Sequence, residues 1–292
     1  MKRAFVIIVC ILFSSSAFAG NADDKSPKKK KTTKQSTKKI KSQKNISVSI
    51  KSLVVKLNTL ESDEEFYSSH EDVASRWMPI MKSVREGNLD RNSAMDSMYR
   101  FTNHLWDVME AKVKSGKIRK YSDAEWVFPV KGYGPAAIGG RNGNGYVPGN
   151  FDFFDGSTGG HPAQDIFIRD SDQDCVDDVS GNYVEIVSMS GGVVVETRKN
   201  WTTDMMDIKG GNIVYVYDNF SNGLFYYAHL KEVKVDVGDL VKPGTLLGIL
   251  GRTGKNAYPK RSPTHLHIMY VRSFDGELRP ENLYNDLLRT GN

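Results

Sequence analysis

The segment Thr264-His265-Leu266-His267-Ile268-Met269-Tyr270 has the composition of a β-strand and carries two histidines. Side chains alternate between the two faces of a strand, so His265 and His267 are predicted to lie on the same face, about 7 Å apart. A His-x-His pair also occurs on solvent-exposed strands. This pair alone therefore does not decide between a structural and a chemical role, and it has to be weighed with the other histidines.

The chain has six histidines, and two of the others stand near predicted strands. His161 precedes Asp165 by four residues, and His229 follows a β-like run. The imidazoles of His161 and His267 with the carboxylate of Asp165 make a donor set suited to a catalytic zinc ion, which keeps a fourth position open. His229 and His265 are then left for proton transfer and for stabilising an oxyanion. The alternative is that these five residues are scattered over a β-sheet surface.

The N-terminus has the three parts of a secretory signal peptide. Lys2 and Arg3 supply positive charge, an apolar segment follows, and Ala17-Phe18-Ala19 provides a small-residue cleavage site. We predict that residues 1–19 are a signal peptide and that the protein is exported, to the periplasm or as a secreted protein. The apolar segment is too short for a transmembrane helix, although a short membrane anchor is the alternative. Cleavage would leave Cys175 as the only cysteine, so no internal disulfide is expected.

The net charge of +5 at pH 7 is unevenly distributed. Residues 25–51 contain eleven lysines and no acidic residue, and they leave residues 52–292 with a net charge of about −6. Residues 20–57 are predicted to be a basic, disordered linker, because they contain almost nothing to bury. The lysines have two possible roles, contact with an anionic envelope surface and simple solvation of the linker. Nucleic acid is not expected as a partner, because the basic segment lacks interleaved aromatic residues.

Residues 58–120 show the spacing of helices, with apolar residues recurring at intervals of three and four. Pro79 is expected to kink or divide the first helix, and the second is expected to end at Gly116. We predict a helical hairpin whose apolar stripe packs on itself or on the following domain. His70 and His104 are interpreted as ordinary helix residues.

From residue 121 onward, short apolar runs alternate with turns rich in glycine, proline and asparagine. The predicted strands span 126–130, 183–188, 192–197, 212–217, 224–228, 246–250 and 265–271. A loop at 132–160 is too long for a simple connection. Many short strands without intervening helices indicate antiparallel pairing. We therefore predict a mainly β protein, with an antiparallel β-sheet domain at 121–292 preceded by a small α-helical region.

The motifs that contain these residues resemble, in order and spacing, those of the lysostaphin-like zinc endopeptidases that cut peptidoglycan peptides. They are His161-x-x-x-Asp165, Tyr227-Ala-His229-Leu230, Val237-Gly238-Asp239-x-Val241-x-x-Gly244, Leu247-Gly248-x-x-Gly251-x-Thr253-Gly254 and His265-Leu266-His267. The resemblance covers about residues 126–283. It implies a lysostaphin-like antiparallel sheet with a groove, and a substrate among the stem or cross-link peptides of peptidoglycan.

The resemblance also implies roles for the site residues. His161, Asp165 and His267 would hold one zinc ion, and His229 and His265 would be the catalytic histidines. Because all five positions are kept, we expect a zinc metallo-endopeptidase that acts through zinc-activated water. A monomer is the default expectation. The alternative is a catalytically silent wall-binding or regulatory module that activates another peptidoglycan hydrolase. A protease acting on other proteins would share the same chemistry.

An acidic insertion follows the Asp165 strand. Its carboxylates stand at alternating positions, a spacing that suits calcium, and they belong to Asp170, Asp172, Asp174 and Asp178. The glycine that an EF-hand requires at its sixth position is replaced by Cys175. The insertion is therefore either a calcium loop or a solvated acidic loop, and Cys175 is predicted to be a free thiol that is at least partly buried.

Two further expectations concern the surroundings of the site. If the strand continues, Tyr227 shares the face of His229, where it would either orient the ring or serve as a packed aromatic. The helical hairpin and the loop at 132–160 are adjacent to the motifs in sequence. One hypothesis is that they cover the groove and keep the enzyme latent.

Overall fold

The computed structural model describes residues 69–155 and 159–291. The predicted signal peptide (1–19) and basic linker (20–57) lie outside the described residues. The helices are α1 His70–Ser75, α2 Trp77–Arg85, α3 Arg91–Lys114 and α4 Tyr284–Thr290. The strands are β1 Gln164–Phe167, β2 Glu185–Val187, β3 Gly192–Arg198, β4 Asn212–Asp218, β5 Gly223–Val233, β6 Leu240–Val241, β7 Leu246–Leu250, β8 His265–Phe274 and β9 Glu277–Glu281. Within these two ranges, no helix has both the length and the apolar character needed to cross a membrane.

The strands form one nine-stranded sheet, and every pairing between them is antiparallel. Its main path runs β1-β8-β5-β4-β3-β6, with β9 beside β8 and with β7 pairing β5 and β2. The turn between β4 and β5 contains Asn222, whose φ of 52° lies in the left-handed region that asparagine tolerates. The predicted antiparallel architecture with a preceding helical region is confirmed.

The helical region begins with two short helices that meet at Arg76. Ser69 caps α1, because its hydroxyl oxygen accepts a hydrogen bond from the backbone N–H of Asp72. Pro79 falls in the first turn of α2. A proline is tolerated there, since the N–H that it lacks would have no partner within the helix. Pro79 is thus compatible with α2 because α2 begins just before it.

The third helix, α3, matches the predicted second half of the hairpin. Asp90 caps it by accepting hydrogen bonds from the backbone N–H groups of Asn92 and Ser93. It ends at Lys114, two residues before Gly116, which has a φ of 71°. Glycine adopts this conformation without steric cost, which is why it commonly ends helices.

Each face of the sheet carries an apolar core. One core contains Phe225, Tyr227 and Tyr270 and is covered by α4. The other contains Trp77 and Met269 and joins the helices α1–α3 to strands β3, β4, β5 and β8. The helical region is therefore a layer of the same folding unit, packed directly on the sheet.

A buried carboxylate fixes this layer to the sheet. Glu196 in β3 is only 1% exposed. It accepts hydrogen bonds from Trp77 Nε1 at 2.7 Å and from Arg85 Nη2 at 2.9 Å. A buried carboxylate is stable only when such donors replace water, so these contacts hold α2 against β3.

Part of the predicted strand pattern is wrong. Residues 126–130 do not form a strand, and only Val130 makes a β-bridge, to Ile186. The backbone N–H of Val187 donates to the carbonyl of Pro129, but Pro129 has no N–H with which to extend the ladder. Strands β6 and β9 and helix α4 carry weak sequence signals, because β6 has two residues, β9 contains a proline and α4 is short.

Candidate active site

Three neighbouring strands bring the candidate residues together. β8 lies between β1 and β5, so that His267 stands opposite Asp165 on one side and opposite Ala228 on the other. Because side chains alternate along β8, His267 shares its face with Met269, which packs in the core under the helices. The site therefore lies on the same face of the sheet as α1–α3.

The donor atoms of His161, Asp165 and His267 form a nearly equilateral triangle. His161 Nε2 lies 3.2 Å from Asp165 Oδ1 and 3.2 Å from His267 Nδ1, and His267 Nδ1 lies 3.0 Å from Asp165 Oδ1. A tetrahedral zinc ion with bonds of about 2.0–2.1 Å separates its ligand atoms by roughly 3.3 Å. The triangle thus has the dimensions that zinc requires. All three side chains are partly exposed, so a fourth ligand position is accessible.

The long loop before His161 holds the ring of this histidine in place. The ring Nδ1–H donates to the carbonyl of Gly145 at 2.6 Å. The backbone of His161 pairs with that of Val147 in both directions, at 2.6 and 2.8 Å. With Nδ1 protonated, Nε2 keeps its lone pair and can bind a metal. This part of the loop is therefore a support of the site itself.

The carboxylate of Asp165 is strongly biased toward its charged form. Burial alone would raise its pKa, but the close contacts with the His161 and His267 rings outweigh burial and hold the pKa well below its usual range. An ionised carboxylate is the form that ligates zinc. The site therefore presents one negative donor and two imidazoles.

His229 follows the regular part of β5 with an unusual backbone. Its φ of 67° is in the left-handed region, which is uncommon for a histidine. The ring Nδ1–H donates to the carbonyl of Thr253 at 2.8 Å. Burial, followed by the proximity of His267 and His265, lowers its pKa to about 3. His229 is therefore neutral at pH 7, and its Nε2 can accept a proton.

His265 is held in a similar way at the start of β8. Its Nδ1–H donates to the carbonyl of Pro263 at 2.7 Å, and its Nε2 lies 3.8 Å from Asp165 Oδ1. Burial lowers its pKa although Asp165 acts in the opposite direction. The rings of His229 and His265 lie 5.0 Å apart. The structure thus brings all five predicted site residues into one cluster.

Tyr227 does not line this cluster, and of its two predicted roles the structure shows the packed aromatic. Its hydroxyl accepts a hydrogen bond from the backbone N–H of Met189 in the opposite core. The left-handed backbone at His229 ends the strand alternation on which the prediction depends. Tyr226, the residue before Tyr227, does lie beside the site, with its ring centroid 6.0 Å from that of His267.

The sequence patterns do not identify the backbone groups that orient the histidines. Thr253 belongs to a glycine-containing motif that is recognisable in the sequence, but the motif does not show that the carbonyl of Thr253 binds a histidine. The carbonyls of Gly145 and Pro263 have no comparable signal. Backbone acceptors of this kind depend on how loops fold back on the sheet, which a side-chain pattern does not encode.

Three of the four carboxylates of the acidic insertion have oxygens within 4.8 Å of one another, namely those of Asp170, Asp172 and Asp174. Asp170 is buried and accepts hydrogen bonds from the backbone of Cys175 and from Thr264 Oγ1. Asp178 accepts a hydrogen bond from a backbone N–H of the loop. These hydrogen bonds are sufficient to hold the loop in its conformation without an ion. Bound calcium stays a prediction. Cys175 is a partly buried free thiol, as predicted.

The sequence of the domain matches a known protein family. Residues 175–278 match the profile of peptidase family M23. The match includes His229, His265 and His267, whereas His161 and Asp165 precede it. No curated protein sequence matches the chain.

Several solved structures are similar to parts of the chain. A zinc-containing peptidase from Vibrio cholerae has 22% identity and a TM-score of 0.36, over 57% of this chain and 40% of that one. The catalytic domain of the antimicrobial peptidase lysostaphin from Staphylococcus simulans has 24% identity and a TM-score of 0.34, over 51% of this chain and 90% of that domain. A protein named LytM from Ruminococcus gnavus has 25% identity and a TM-score of 0.37, over 69% of this chain and 72% of that one. The chain thus spans less than half of the Vibrio cholerae peptidase.

Proposed function

We propose that the chain is a zinc-dependent endopeptidase of the lysostaphin/LytM type that hydrolyses amide bonds in peptidoglycan stem or cross-link peptides. The match of residues 175–278 to the profile of peptidase family M23 supports this proposal. The observation that carries this proposal is the donor triangle of His161, Asp165 and His267, with edges of 3.0 to 3.2 Å. For His161, a backbone carbonyl binds the ring N–H that faces away from the triangle. This hydrogen bond directs the other ring nitrogen of His161 at the donors of Asp165 and His267, an orientation that metal binding requires and that an incidental cluster of polar residues does not.

The donor set fits zinc in chemistry as well as in size. Two neutral imidazoles and one carboxylate leave a net positive charge at the metal. When bound, zinc supplies a Lewis acid that polarises the substrate carbonyl and lowers the pKa of a water molecule. Asp165, with its depressed pKa, keeps its charge throughout the neutral range.

His229 and His265 are proposed as the catalytic histidines. His229 is neutral at pH 7, and the carbonyl of Thr253 binds its Nδ1–H, so its Nε2 is the atom that accepts a proton from the attacking water and delivers it to the leaving amine. His265 is fixed by Pro263 and its Nε2 lies near Asp165. Because the carbonyl of Pro263 binds its only ring N–H and burial lowers its pKa, its Nε2 is an acceptor, and we assign it to orienting the attacking water by accepting a hydrogen bond from it.

The proposed substrate lies outside the cytoplasmic membrane, and the protein would reach it through the signal peptide at residues 1–19. The lysines of residues 25–51 would then be positioned to contact an anionic envelope polymer or lipid headgroup. A tail of this charge would keep the enzyme close to its polymeric substrate.

The test is the release of peptides from purified peptidoglycan sacculi by residues 20–292, with mass spectrometry of the products. We expect new amine and carboxylate ends at one type of amide bond. The variant Asp165→Ala should release none. The control Asp96→Ala changes an exposed aspartate on α3 and should behave like the unmodified chain. Equal release by the chain and the Asp165→Ala variant would contradict the site assignment.

The alternative function is a silent wall-binding or regulatory module. It would use the same groove to hold peptidoglycan, or a partner hydrolase, without cutting. Zinc binding together with sacculus binding, but without any new peptide ends, would support it. Stimulation of a second hydrolase by the Asp165→Ala variant would identify this function directly, because turnover by the chain itself is then removed.

A further inference from the structure

A row of aromatic rings connects the helical layer with the candidate site. Trp77 of α2 lies 5.6 Å from Tyr215 of β4, and Tyr215 lies 4.6 Å from Tyr226 of β5. Tyr226 in turn lies 6.0 Å from His267, with the rings nearly perpendicular. The ring of Tyr226 is therefore fixed from one side and touches a candidate zinc ligand on the other.

The hydroxyl of Tyr226 lies against the backbone segment that holds His229. Tyr226 is partly buried, and no hydrogen bond joins its hydroxyl to another of the described residues, 69–155 and 159–291. The hydroxyl lies against Gly210, where an added Cβ would come within 2.0 Å of it. The carbonyl of Gly210 accepts the backbone N–H of His229 at 2.9 Å. The phenol group therefore lies between His267 and the segment that holds His229.

We propose that Tyr226 is a further catalytic residue, whose hydroxyl donates a hydrogen bond to the carbonyl oxygen of the scissile peptide. This inference rests on the proposed function. A hydroxyl on a rigidly packed ring beside one of the metal donors, without a hydrogen-bond partner among the described residues, is suited to bind charge that develops on that oxygen. Packing alone would be satisfied equally well by phenylalanine.

The protonation state of Tyr226 agrees with this role. A tyrosine phenol ordinarily titrates at about pH 10, so the hydroxyl carries its proton in the neutral range and is a hydrogen-bond donor. No proton is transferred by Tyr226 in this proposal. The proton of the attacking water passes to His229, and Tyr226 supplies only a hydrogen bond.

The first test is the variant Tyr226→Phe, assayed with a soluble peptidoglycan-derived peptide. We expect kcat to fall by at least about tenfold, as for the loss of one oxyanion donor, while KM changes little. Zinc content and thermal stability should equal those of the unmodified chain. The matched control Tyr99→Phe removes an exposed hydroxyl on α3 and should leave kcat unchanged.

A second variant tests the position of the hydroxyl. Gly210 does not have a left-handed φ, so Gly210→Ala is free of backbone strain and acts mainly by displacing the Tyr226 hydroxyl. We expect Gly210→Ala to lower kcat about as much as Tyr226→Phe does. In the double variant the two losses should not add, because the displaced group is already absent.

The outcomes separate this inference from the proposed function. If the unmodified chain cleaves no peptide, the proposed function fails. If it cleaves and Tyr226→Phe matches it in kcat, the inference alone is overturned. Loss of zinc or a lower melting temperature in Tyr226→Phe would also overturn it, since the residue would then act through structure.

Discussion

The buried carboxylate of Glu196 should be a main determinant of whether the helical layer stays on the sheet. In the variant Glu196→Ala, the indole N–H of Trp77 loses its acceptor in a position that is 0% exposed. A buried donor without a partner costs about 1–3 kcal/mol, and more where the lost hydrogen bond involves a charged group, as it does here. We therefore expect the free energy of unfolding to fall by about 2–4 kcal/mol.

The assay is thermal and urea unfolding of residues 20–292. For a domain of this size, each kcal/mol corresponds to about 2–4 °C in melting temperature, so Glu196→Ala should melt roughly 4–16 °C lower. Glu196→Gln keeps a neutral acceptor for the indole and should show a smaller loss. The matched control is Glu185→Ala, which removes a surface ion pair with Lys131 and should change stability by less than about 1 kcal/mol.

Two results would refute this reasoning. One is equal destabilisation by Glu196→Ala and Glu185→Ala, which would mean that the buried contact contributes nothing specific. The other is a separate early transition that leaves the sheet intact in the unmodified chain. That result would make the helical region an independent unit, contrary to the shared core of Trp77 and Met269.

Three further variants test other parts of the account. Burial raises the pKa of Asp218 to about 6. Ionisation of this carboxyl therefore disfavours the folded state, and the free energy of unfolding should decrease as the pH rises from about 4 to 6. The Asp218→Asn variant has no such ionisation. Between pH 4 and pH 7 its free energy of unfolding, measured with urea, should therefore increase relative to that of the unmodified chain by up to about 3 kcal/mol. Cys175→Gly should gain up to about 1 kcal/mol in the same assay, because Cys175 has a φ of 75°. Gly192→Ala should lower the melting temperature by more than about 5 °C, since its Cβ would lie 1.9 Å from the carbonyl oxygen of Tyr217.

The sequence was most informative where function requires fixed spacing of side chains. Alternation along β8 correctly placed His265 and His267 on one face, and the antiparallel pairing of β8 with β1 brings Asp165 opposite His267. Helix α3 was also predictable, because its apolar spacing is regular and a glycine ends it. These features depend on local periodicity, which a single sequence contains.

Features that depend on exceptions to periodicity were not predictable. The positive φ of His229 interrupts β5, so that Tyr226, and not Tyr227, lies beside the site. Pro129 prevents a regular strand at residues 126–130 although the apolar residues there suggest one. Glu196 was not predicted to be buried, because its partners Trp77 and Arg85 are more than 100 residues away in the chain.

The measurement that tests the central claim most directly is a zinc titration of the metal-free chain, with peptide cleavage followed at each addition. We predict that activity is absent after chelation, rises in proportion to added zinc and reaches its plateau at one zinc ion per chain. The Asp165→Ala variant should show neither tight binding nor activity. Cleavage that persists without zinc, or full zinc occupancy of the donor triangle without cleavage, would contradict the account.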